Sequence, residues 1–282
     1  MPELPEVETI RGQLEKYLRG HKVSGVDAHY KNFEGQGKDL IGGKVVNVRR
    51  FGKVTVIDFD NGFSIVAHIK LTGQFIYRGP NLENVPDLSK KVIGGVPGKH
   101  THVIFKLDKK GNLYYNDVRR FGWIKIVKTS QVENIPFISK LGPEPFGKLT
   151  FELFSQILSK SSRPIKIVLM DQEKIGGVGN IYANDALWLA KINPKRPANS
   201  LLPEEQKKLY DAIHKVLKEG IKYGGSSELA YVTPDGKEGQ YQKHTLAYGW
   251  EGEPCERCHK AKFVKYFLGG RGTYFCPVCQ KQ

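Results

Sequence analysis

The sequence predicts an α+β protein with two domains and a small C-terminal module, and three observations support this fold class. Residues 22–128 contain many short β-rich runs broken by Gly, Asn and Asp, which is typical of an antiparallel sandwich or barrel. Residues 151–222 instead repeat apolar side chains at helical spacing. The cysteines are confined to the C-terminal end, from Cys255 to Cys279. A chain of 282 residues is long enough for this organisation.

The N-terminal region begins with an expected helix and continues as strands. After Pro2 and Pro5, apolar residues at helical spacing form one face: Val7, Ile10, Leu14, Tyr17 and Leu18. The β-rich runs are 44–51, 54–59, 63–69, 74–78, 102–107, 113–118 and 123–127. Hairpin turns are expected at Asp60-Asn61-Gly62 and at Lys110-Gly111-Asn112. Residues 79–99 are rich in Pro, Gly and Lys and predict a surface loop.

The second region is predicted to be helical and follows a linker, 141-LGPEPFGKL-149. Helical stretches are expected around 151–158, 165–169, 180–190 and 204–222. Pro203 suits the first turn of the last of these helices. After Gly224-Gly225 the chain has no long periodic segment until the cysteines.

The charge balance predicts a polyanionic partner. The formal net charge is +15 and the pI is about 9.5. A merely soluble basic protein is the alternative. An apolar content of 39% argues against a wholly disordered chain, and no apolar run approaches the roughly 18 residues of a membrane helix. Glu3, Glu6 and Glu8 precede the first basic residue, unlike a secretory signal, so we expect a cytosolic location.

The cysteine spacing predicts a structural zinc site. Cys255 and Cys258 form one C-x2-C pair, and Cys276 and Cys279 form a second pair after 17 residues. This spacing lets four thiolates surround one Zn²⁺ and leaves no open coordination position. Two disulfides are disfavoured in a long chain without a signal peptide. The surrounding basic and aromatic residues favour a nucleic-acid contact, although such modules also join proteins.

The N-terminal residues carry a possible nucleophile. Removal of Met1 would expose Pro2 as a secondary amine, which can attack a sugar carbon and form a Schiff base. Glu3 would lie beside it as a proton donor or acceptor. The alternative is an ordinary helix start, where prolines and acidic residues are common.

Other segments suggest nucleic-acid contacts. The glycine-rich turn 176-GGVGNIYA-183 opens a helix and could bind phosphate with backbone N–H groups and Asn180, or be a plain helix–helix turn. Lys53 and His68 are expected on strands, where a solvated lysine and a hydrogen-bonded histidine are common. The run Arg119-Arg120-Phe121-Gly122 could insert into a base step, or be an exposed loop with a buried Phe.

Several motifs together resemble the bacterial formamidopyrimidine-DNA glycosylases, over essentially the whole chain. They are 2-PELPEVETI-10, 118-VRRFG-122, 141-LGPEP-145, 169-LMDQ-172, 179-GNIYA-183 and 269-GGRGTYFC-276, with the four-cysteine module. The resemblance implies an N-terminal antiparallel β-sandwich with a flanking helix, a helix–two-turn–helix domain and a C-terminal zinc β-hairpin. It implies a monomer that binds damaged double-stranded DNA in a basic cleft, in the cytoplasm at the nucleoid.

The implied activity is bifunctional. The family excises oxidised purines, notably 8-oxoguanine and formamidopyrimidines, and cleaves the strand by β,δ-elimination in base excision repair. The corresponding domains are residues 1–130 (catalytic β-sandwich and helix), 131–149 (linker), 150–225 (helix–two-turn–helix) and 226–282 (lesion loop and zinc finger).

The resemblance also implies residue roles. Pro2 matches the nucleophile, Glu3 the adjacent acid or base, Lys53 a lysine that contacts phosphate and assists elimination, and Arg271 a phosphate contact on the finger. The other matched positions, near the site or in contact with DNA, are Glu6, His68, His100, Arg120, Lys166 and Asn180. Arg119 and Phe121 match two side chains that fill the gap left by the extruded base.

Some positions depart from the family pattern. Leu71 stands where the third gap-filling residue is usually Met, and Lys70 where Gly is usual. Leu229 and Ala230 replace a basic-acidic pair in the loop 224–236. Two alternatives therefore stay open: an endonuclease VIII-type enzyme for oxidised pyrimidines, and a non-catalytic DNA-binding protein. Leu4 and the Arg119-x-Phe121 pair favour the purine branch, and Pro2, Glu3 and Lys53 favour an enzyme.

Overall fold

The chain forms two compact units in a computed structural model that describes residues 1–82 and 87–281. Unit 1 contains Met1–Ser139 and Gly220–Gln242, and unit 2 contains Lys140–Glu219 and Lys243–Gln282. The four segments expected from sequence divide the chain at other positions and remain predictions about its functional organisation. In the described ranges no helix combines the length and apolar character needed to cross a membrane.

The first helix, α1 (Leu4–Leu18), matches the expected one. Its apolar face is buried, with Ile10, Leu14 and Leu18 each at most 2% exposed. Pro5 is tolerated because the first helical turn does not need its missing N–H. Burial of this face against the strands of unit 1 fixes the direction in which the chain's first residues point.

The strands of unit 1 form two sheets. They are β1 (Val23–Ala28), β2 (Phe33–Glu34), β3 (Val45–Phe51), β4 (Val54–Phe59), β5 (Phe63–His68), β6 (Gly73–Arg78), β7 (Thr101–Leu107), β8 (Asn112–Asp117) and β9 (Trp123–Lys128). One sheet has the order β1-β7-β8-β6 and the other β2-β9-β5-β4-β3. All pairs are antiparallel except the short β2–β9 pair. One apolar core contains residues of both sheets and α1, so the expected sandwich is confirmed.

Both expected hairpin turns are present, but the residues with left-handed backbone in the second turn differ from those that the sequence suggested. β4 and β5 pair across Asp60-Asn61-Gly62, with Gly62 at φ +80°. Between β7 and β8, the left-handed positions are Lys109 and Lys110 rather than Gly111. Of the expected loop 79–99, residues 83–86 lie outside the described residues. Strands β1 and β2 were not expected, because their sequences, VSGVDA and FE, lack a clear apolar alternation.

Helices dominate unit 2. After the short α2 (Pro136–Ser139) at the end of the first segment of unit 1, the helices are α3 (Phe151–Ser159), α4 (Ile165–Met170), α5 (Asn180–Leu189) and α6 (Pro203–Lys222). Thr150 caps α3 by accepting a hydrogen bond from Leu153 N at 3.2 Å. The expected start of α6 at Pro203 is confirmed, and its last three residues belong to unit 1.

A two-stranded hairpin completes unit 2. It pairs β10 (Val264–Leu268) with β11 (Arg271–Phe275). The two turn residues, Gly269 and Gly270, have φ values of +57° and +71°, which glycine adopts without strain. A side chain at Gly269 would also lie 2.4 Å from Ile167 Cδ1. The turn sequence therefore places Arg271 at the first position of the return strand.

Two Gly→Ala substitutions in unit 1 should change its stability in opposite directions. A Cβ on Gly122 would lie 1.9 Å from the buried hydroxyl oxygen of Tyr115, so Gly122→Ala should lower the free energy of unfolding by about 1–3 kcal/mol. Gly12, inside α1, has no atom within 4 Å of its Cβ position, so Gly12→Ala should raise it by about 0.5–1 kcal/mol. Urea denaturation of both variants tests this. A Gly122→Ala chain as stable as Gly12→Ala would contradict the packing described.

Candidate functional site

The start of α1 holds the candidate nucleophile in place. Pro2 is buried and Glu3 is 4% exposed, whereas Met1 is 43% exposed. The Glu6 carboxylate accepts a hydrogen bond from Glu3 N at 2.7 Å, as in a capping box. The chain therefore enters the helix with Pro2 and Glu3 in one defined conformation.

The second oxygen of Glu6 binds a distant segment. Glu6 Oε1 accepts a hydrogen bond from Ser226 N at 2.7 Å, and Tyr231 donates from its hydroxyl to Gly224 O at 3.0 Å. Gly225 lies between these contacts with φ +82°, and a Cβ there would lie 2.7 Å from Glu6 Cγ. Only glycine fits this approach. The family resemblance indicated Glu6, but Gly225 and Ser226 were missed because their partner is more than two hundred positions away.

Lys53 lies in a turn, and the expectation that it lies on a strand is wrong. Strands β3 and β4 remain paired as far as Phe51 and Val54, so the two residues between them, Gly52 and Lys53, form the hairpin turn. Gly52 has φ +55°. Arg50 fixes this turn: it donates to Gly52 O at 3.0 Å and to Glu8 Oε2 of α1 at 2.9 Å. Lys53 is 4% exposed. The turn and the start of α1 are thus joined through Glu8 and Arg50.

His68 is a neutral, buried side chain at the end of β5. Its Nδ1 accepts a hydrogen bond from Lys70 N at 3.0 Å, and its ring packs on Phe137 and Trp123. Burial lowers the pKa of His68 to about 3, and the positive charges of Lys70 and Lys53 act in the same direction. At neutral pH this leaves Nε2 as the proton-bearing nitrogen.

Two loops that carry the candidate gap-filling residues are joined by Thr72 and Asp117. Leu71 lies in the turn between β5 and β6, half-buried, and Arg119–Phe121 lie in the connection between β8 and β9. Thr72 Oγ1 accepts from Arg119 N at 3.0 Å and donates to Asp117. Asp117 also accepts from Gly122 N at 2.9 Å. The sequence did not indicate Asp117, because its role depends on a loop that is distant in the chain.

The exposed part of this arrangement combines positive charge with an aromatic ring. Phe121 is 54% exposed, and the Arg119 guanidinium lies 4.6 Å from its ring centroid. Arg120 is exposed at φ +56°, a strained conformation held by the hydrogen bond from Asn32 Nδ2 to its carbonyl at 3.0 Å. Of the two readings left open for this loop, an exposed Phe fits the structure and a buried Phe does not.

Two further positions in these loops follow from backbone geometry. Lys70 has φ +52°, which accounts for a preference for Gly there and makes Lys70 a strained choice. His100 is half-buried, and its backbone carbonyl accepts from Asp117 N at 3.0 Å. His100 thus lies beside the residue that organises both loops.

In unit 2, α4 and α5 support the hairpin that presents Arg271. Lys166 is fully buried, and its Nζ donates to Gly272 O at 2.7 Å and Thr273 Oγ1 at 2.8 Å. Asn184 accepts from Tyr274 N at 2.8 Å. Arg271 itself is exposed. The resemblance places Lys166 near an extruded base, and its hydrogen bonds to Gly272 and Thr273 position the strand that begins with Arg271.

Asn180 begins α5 directly after the glycine-rich turn. It is half-buried, and Gln172 orders the turn by accepting from Gly177 N at 3.0 Å and donating to Val178 O at 2.7 Å. The backbone at the start of α5 therefore has a defined direction, as an anion-binding helix start requires.

The four cysteines lie close enough to hold one metal ion. All four Sγ atoms are within 4.8 Å of one another, with Cys255–Cys279 at 3.9 Å and Cys258–Cys276 at 3.7 Å. These distances are too long for disulfides. Four sulfurs at the ~2.3 Å Zn–S bond length of a tetrahedral site would lie ~3.8 Å apart. The donor set and its dimensions therefore fit a tetrahedral metal site, packed on Trp188 of α5.

Comparisons with known proteins agree with this geometry. The model of the formamidopyrimidine-DNA glycosylase N-terminal domain matches residues 1–124, and that of the family's H2TH domain matches residues 141–231. The formamidopyrimidine-DNA glycosylase of Pelotomaculum thermopropionicum is 38% identical over 291 residues, which cover 100% of this chain and 99% of that protein.

Solved structures agree as well. The Lactococcus lactis Fpg (MutM) in complex with DNA containing N7-benzyl-Fapy-dG has a TM-score of 0.85 at 35% identity, with 100% of each chain covered. The same enzyme with DNA containing an oxidised pyrimidine has a TM-score of 0.84 at 35% identity, again with 100% of each chain covered. The resemblance drawn from the motifs is thereby confirmed, and the chain belongs to the formamidopyrimidine-DNA glycosylase family.

Proposed function

We propose that this protein is a DNA glycosylase and AP lyase that removes oxidised purines from duplex DNA during base excision repair. The observation that carries the proposal is the buried Glu6 carboxylate, which holds Glu3 N at 2.7 Å and Ser226 N at 2.7 Å. It fixes an N-terminal Pro2 and an adjacent carboxylate in one place. The substrates are 8-oxoguanine and formamidopyrimidines, and the protein acts as a monomer on damaged DNA.

The reaction follows from the chemistry of a terminal secondary amine. Once Met1 is removed, the Pro2 nitrogen lone pair attacks C1′, the new N–C bond forms, and the glycosidic bond breaks as the base leaves with a proton. Glu3 is placed to exchange protons during this step and the opening of the sugar ring. The resulting iminium ion makes the C2′ proton acidic, so β-elimination expels the 3′ phosphate and δ-elimination the 5′ phosphate.

Extrusion of the base requires compensation for lost stacking, a cost of a few kcal/mol. Leu71, Arg119 and Phe121 are proposed to fill the gap, since Thr72 and Asp117 join their loops. Lys53, His68, His100 and Arg120 in unit 1 are proposed to contact DNA, as are Asn180 and Arg271 in unit 2. Lys166 is proposed to support DNA binding indirectly, because it holds the hairpin that carries Arg271.

The purine branch is preferred over the pyrimidine branch. Both family models that match this chain are those of formamidopyrimidine-DNA glycosylase. The Arg119-x-Phe121 pair, which favours the purine branch, is exposed, with the guanidinium beside the ring. For the domains we propose the roles that the resemblance implies: residues 1–130 catalytic, 150–225 and the finger within 226–282 DNA-binding, with 131–149 as linker. A cytoplasmic location at the nucleoid fits this substrate.

The metal proposed for the four cysteines is one structural Zn²⁺. Cys255, Cys258, Cys276 and Cys279 would hold it and leave no open position, so it would order the finger and take no part in the chemistry. Because the cysteines flank the hairpin of Arg271 in sequence, the ion would help to fix that hairpin.

Substitution of the two proposed catalytic residues should separate catalysis from binding. On an 8-oxoguanine:cytosine duplex, Glu3→Gln should lower kcat/KM for base excision by about 100-fold or more, because a proton-transfer group is lost. Pro2→Gly should also impair base excision although it keeps a primary amine. DNA affinity, measured by fluorescence anisotropy, should be unchanged in Glu3→Gln. Full excision activity in either variant would exclude the mechanism.

Glu15→Gln is the matched control for Glu3→Gln. It makes the same change of charge within α1, the helix that Glu3 precedes, where Glu15 binds Arg19 and Val48 N. Its excision rate should stay near that of the wild type.

Cys258→Ser should remove the metal and weaken DNA binding. Elemental analysis should find about one zinc per wild-type chain and much less in the variant, because three thiolates bind Zn²⁺ far more weakly. DNA affinity should fall together with the zinc content. Wild-type protein without zinc, or a variant that keeps stoichiometric zinc, would contradict the assignment.

A further inference from the structure

The segment Gly225–Gly239, named here the 225–239 loop, is held firmly except at its tip. Ser226, Ser227, Tyr231 and Val232 are each at most 5% exposed. Between them Glu228 and Leu229 are exposed, Leu229 to 61%. The tip is therefore a short exposed stretch between two buried anchors.

The start of this loop is tied to the proposed catalytic residues. Ser226 N and Glu3 N bind the two oxygens of the same Glu6 carboxylate, each at 2.7 Å. Glu228 is only two residues beyond Ser226. The tip is consequently connected by a short, hydrogen-bonded path to Glu3, which directly follows Pro2.

Lys91 joins the two ends of the 225–239 loop. Its Nζ donates to Glu238 Oε2 at 2.6 Å, near the end of the loop, and to the carbonyl of Ser227, near its start. Ser89 adds a hydrogen bond from its hydroxyl to Glu238 Oε1 at 2.6 Å. The Lys91 ammonium group thus bridges the two ends of the loop, which the hydrogen bond from Gly239 N to Ser227 Oγ at 2.9 Å also joins.

Gln74 holds the far side of the tip. It is 4% exposed on β6, and its Nε2 donates to Ala230 O at 2.6 Å and Lys91 O at 2.9 Å. Ser227 and Ala230, the residues on either side of Glu228 and Leu229, are therefore each fixed by a side chain from outside the loop. Both of these side chains belong to unit 1.

Apolar packing keeps the Lys91 segment against the loop. Ile76, Val92 and Val232 form a buried cluster with Leu88 and Val96 beside it. Gly236 has φ +92°, and a Cβ there would lie 2.6 Å from Leu88 Cδ2. The left-handed φ favours glycine at this position, and the short distance shows that Leu88 packs directly on the loop.

We propose that Lys91 and Gln74 are positioning residues for base excision, which hold the tip Glu228–Leu229 where it contacts the extruded base. This inference rests on the proposed function. A tip that is already ordered avoids the entropy cost of ordering it in each catalytic cycle. The benefit applies only when a damaged base is present, since an abasic site offers the tip nothing to contact.

The test compares two substrates and two adjacent lysines. Lys91→Met should lower kcat/KM for base excision from an 8-oxoguanine duplex by about tenfold or more. Its lyase rate on a preformed abasic site should stay within about twofold of the wild type. Lys90→Met, the same substitution at the exposed neighbouring residue, should change neither rate. Gln74→Met should follow Lys91→Met.

A second measurement does not depend on activity. Hydrogen–deuterium exchange of the Ser227–Tyr231 amides should become faster in Lys91→Met and stay unchanged in Lys90→Met. Equal loss of excision and lyase activity in Lys91→Met, or unchanged excision, would overturn the proposal, as would unchanged exchange. A wild-type chain inactive on both substrates would instead overturn the proposed function itself, an outcome visible before any variant is compared.

Discussion

The geometry of the proposed active site depends on one buried carboxylate with two backbone donors. Glu6 is 1% exposed, and a buried carboxylate is costly unless hydrogen bonds satisfy it. Glu3 N and Ser226 N each donate a hydrogen bond to this carboxylate. The start of the chain and the 225–239 loop are thereby fixed to one side chain. Gly225 makes the close approach possible. The same contact orders the chain at Pro2 and anchors the loop whose tip is proposed to contact the base.

The two units use the same principle for their other functional residues: buried polar side chains hold short turns that present exposed charges. In unit 1, Asp117 and Thr72 fix the loops of Leu71 and Arg119. In unit 2, Lys166 fixes the strand that begins with Arg271. An ammonium buried this completely is stable only with good acceptors, so it fixes the hairpin's position closely. DNA-contacting groups with defined positions need less ordering on binding.

Much of the fold could be predicted from local patterns, because helix α1, the β4–β5 turn and the start of α6 each carry their own signal. Strands β1 and β2 could not, since their short, mixed sequences form strands only by pairing with β7 and β9. Pro2, Glu3 and the cysteines could be found by motif and spacing. The positioning residues could not be found in this way. Lys91 lies in a Pro- and Gly-rich segment that predicts only a loop, and the motif that follows Asp117 draws attention to its two arginines instead. Their roles come from distant contacts that local sequence does not encode, and the same holds for Lys53, whose turn is set by strand pairing.

In the proposed mechanism Pro2 becomes covalently bound to the sugar. Borohydride trapping on duplexes with 8-oxoguanine opposite cytosine and with thymine glycol, followed by mass spectrometry of the cross-linked peptide, tests it most directly. We expect a cross-link at the Pro2 nitrogen of chains that lack Met1, and stronger trapping on 8-oxoguanine. A cross-link at a lysine such as Lys53, or none in zinc-loaded, DNA-bound protein without Met1, would contradict it.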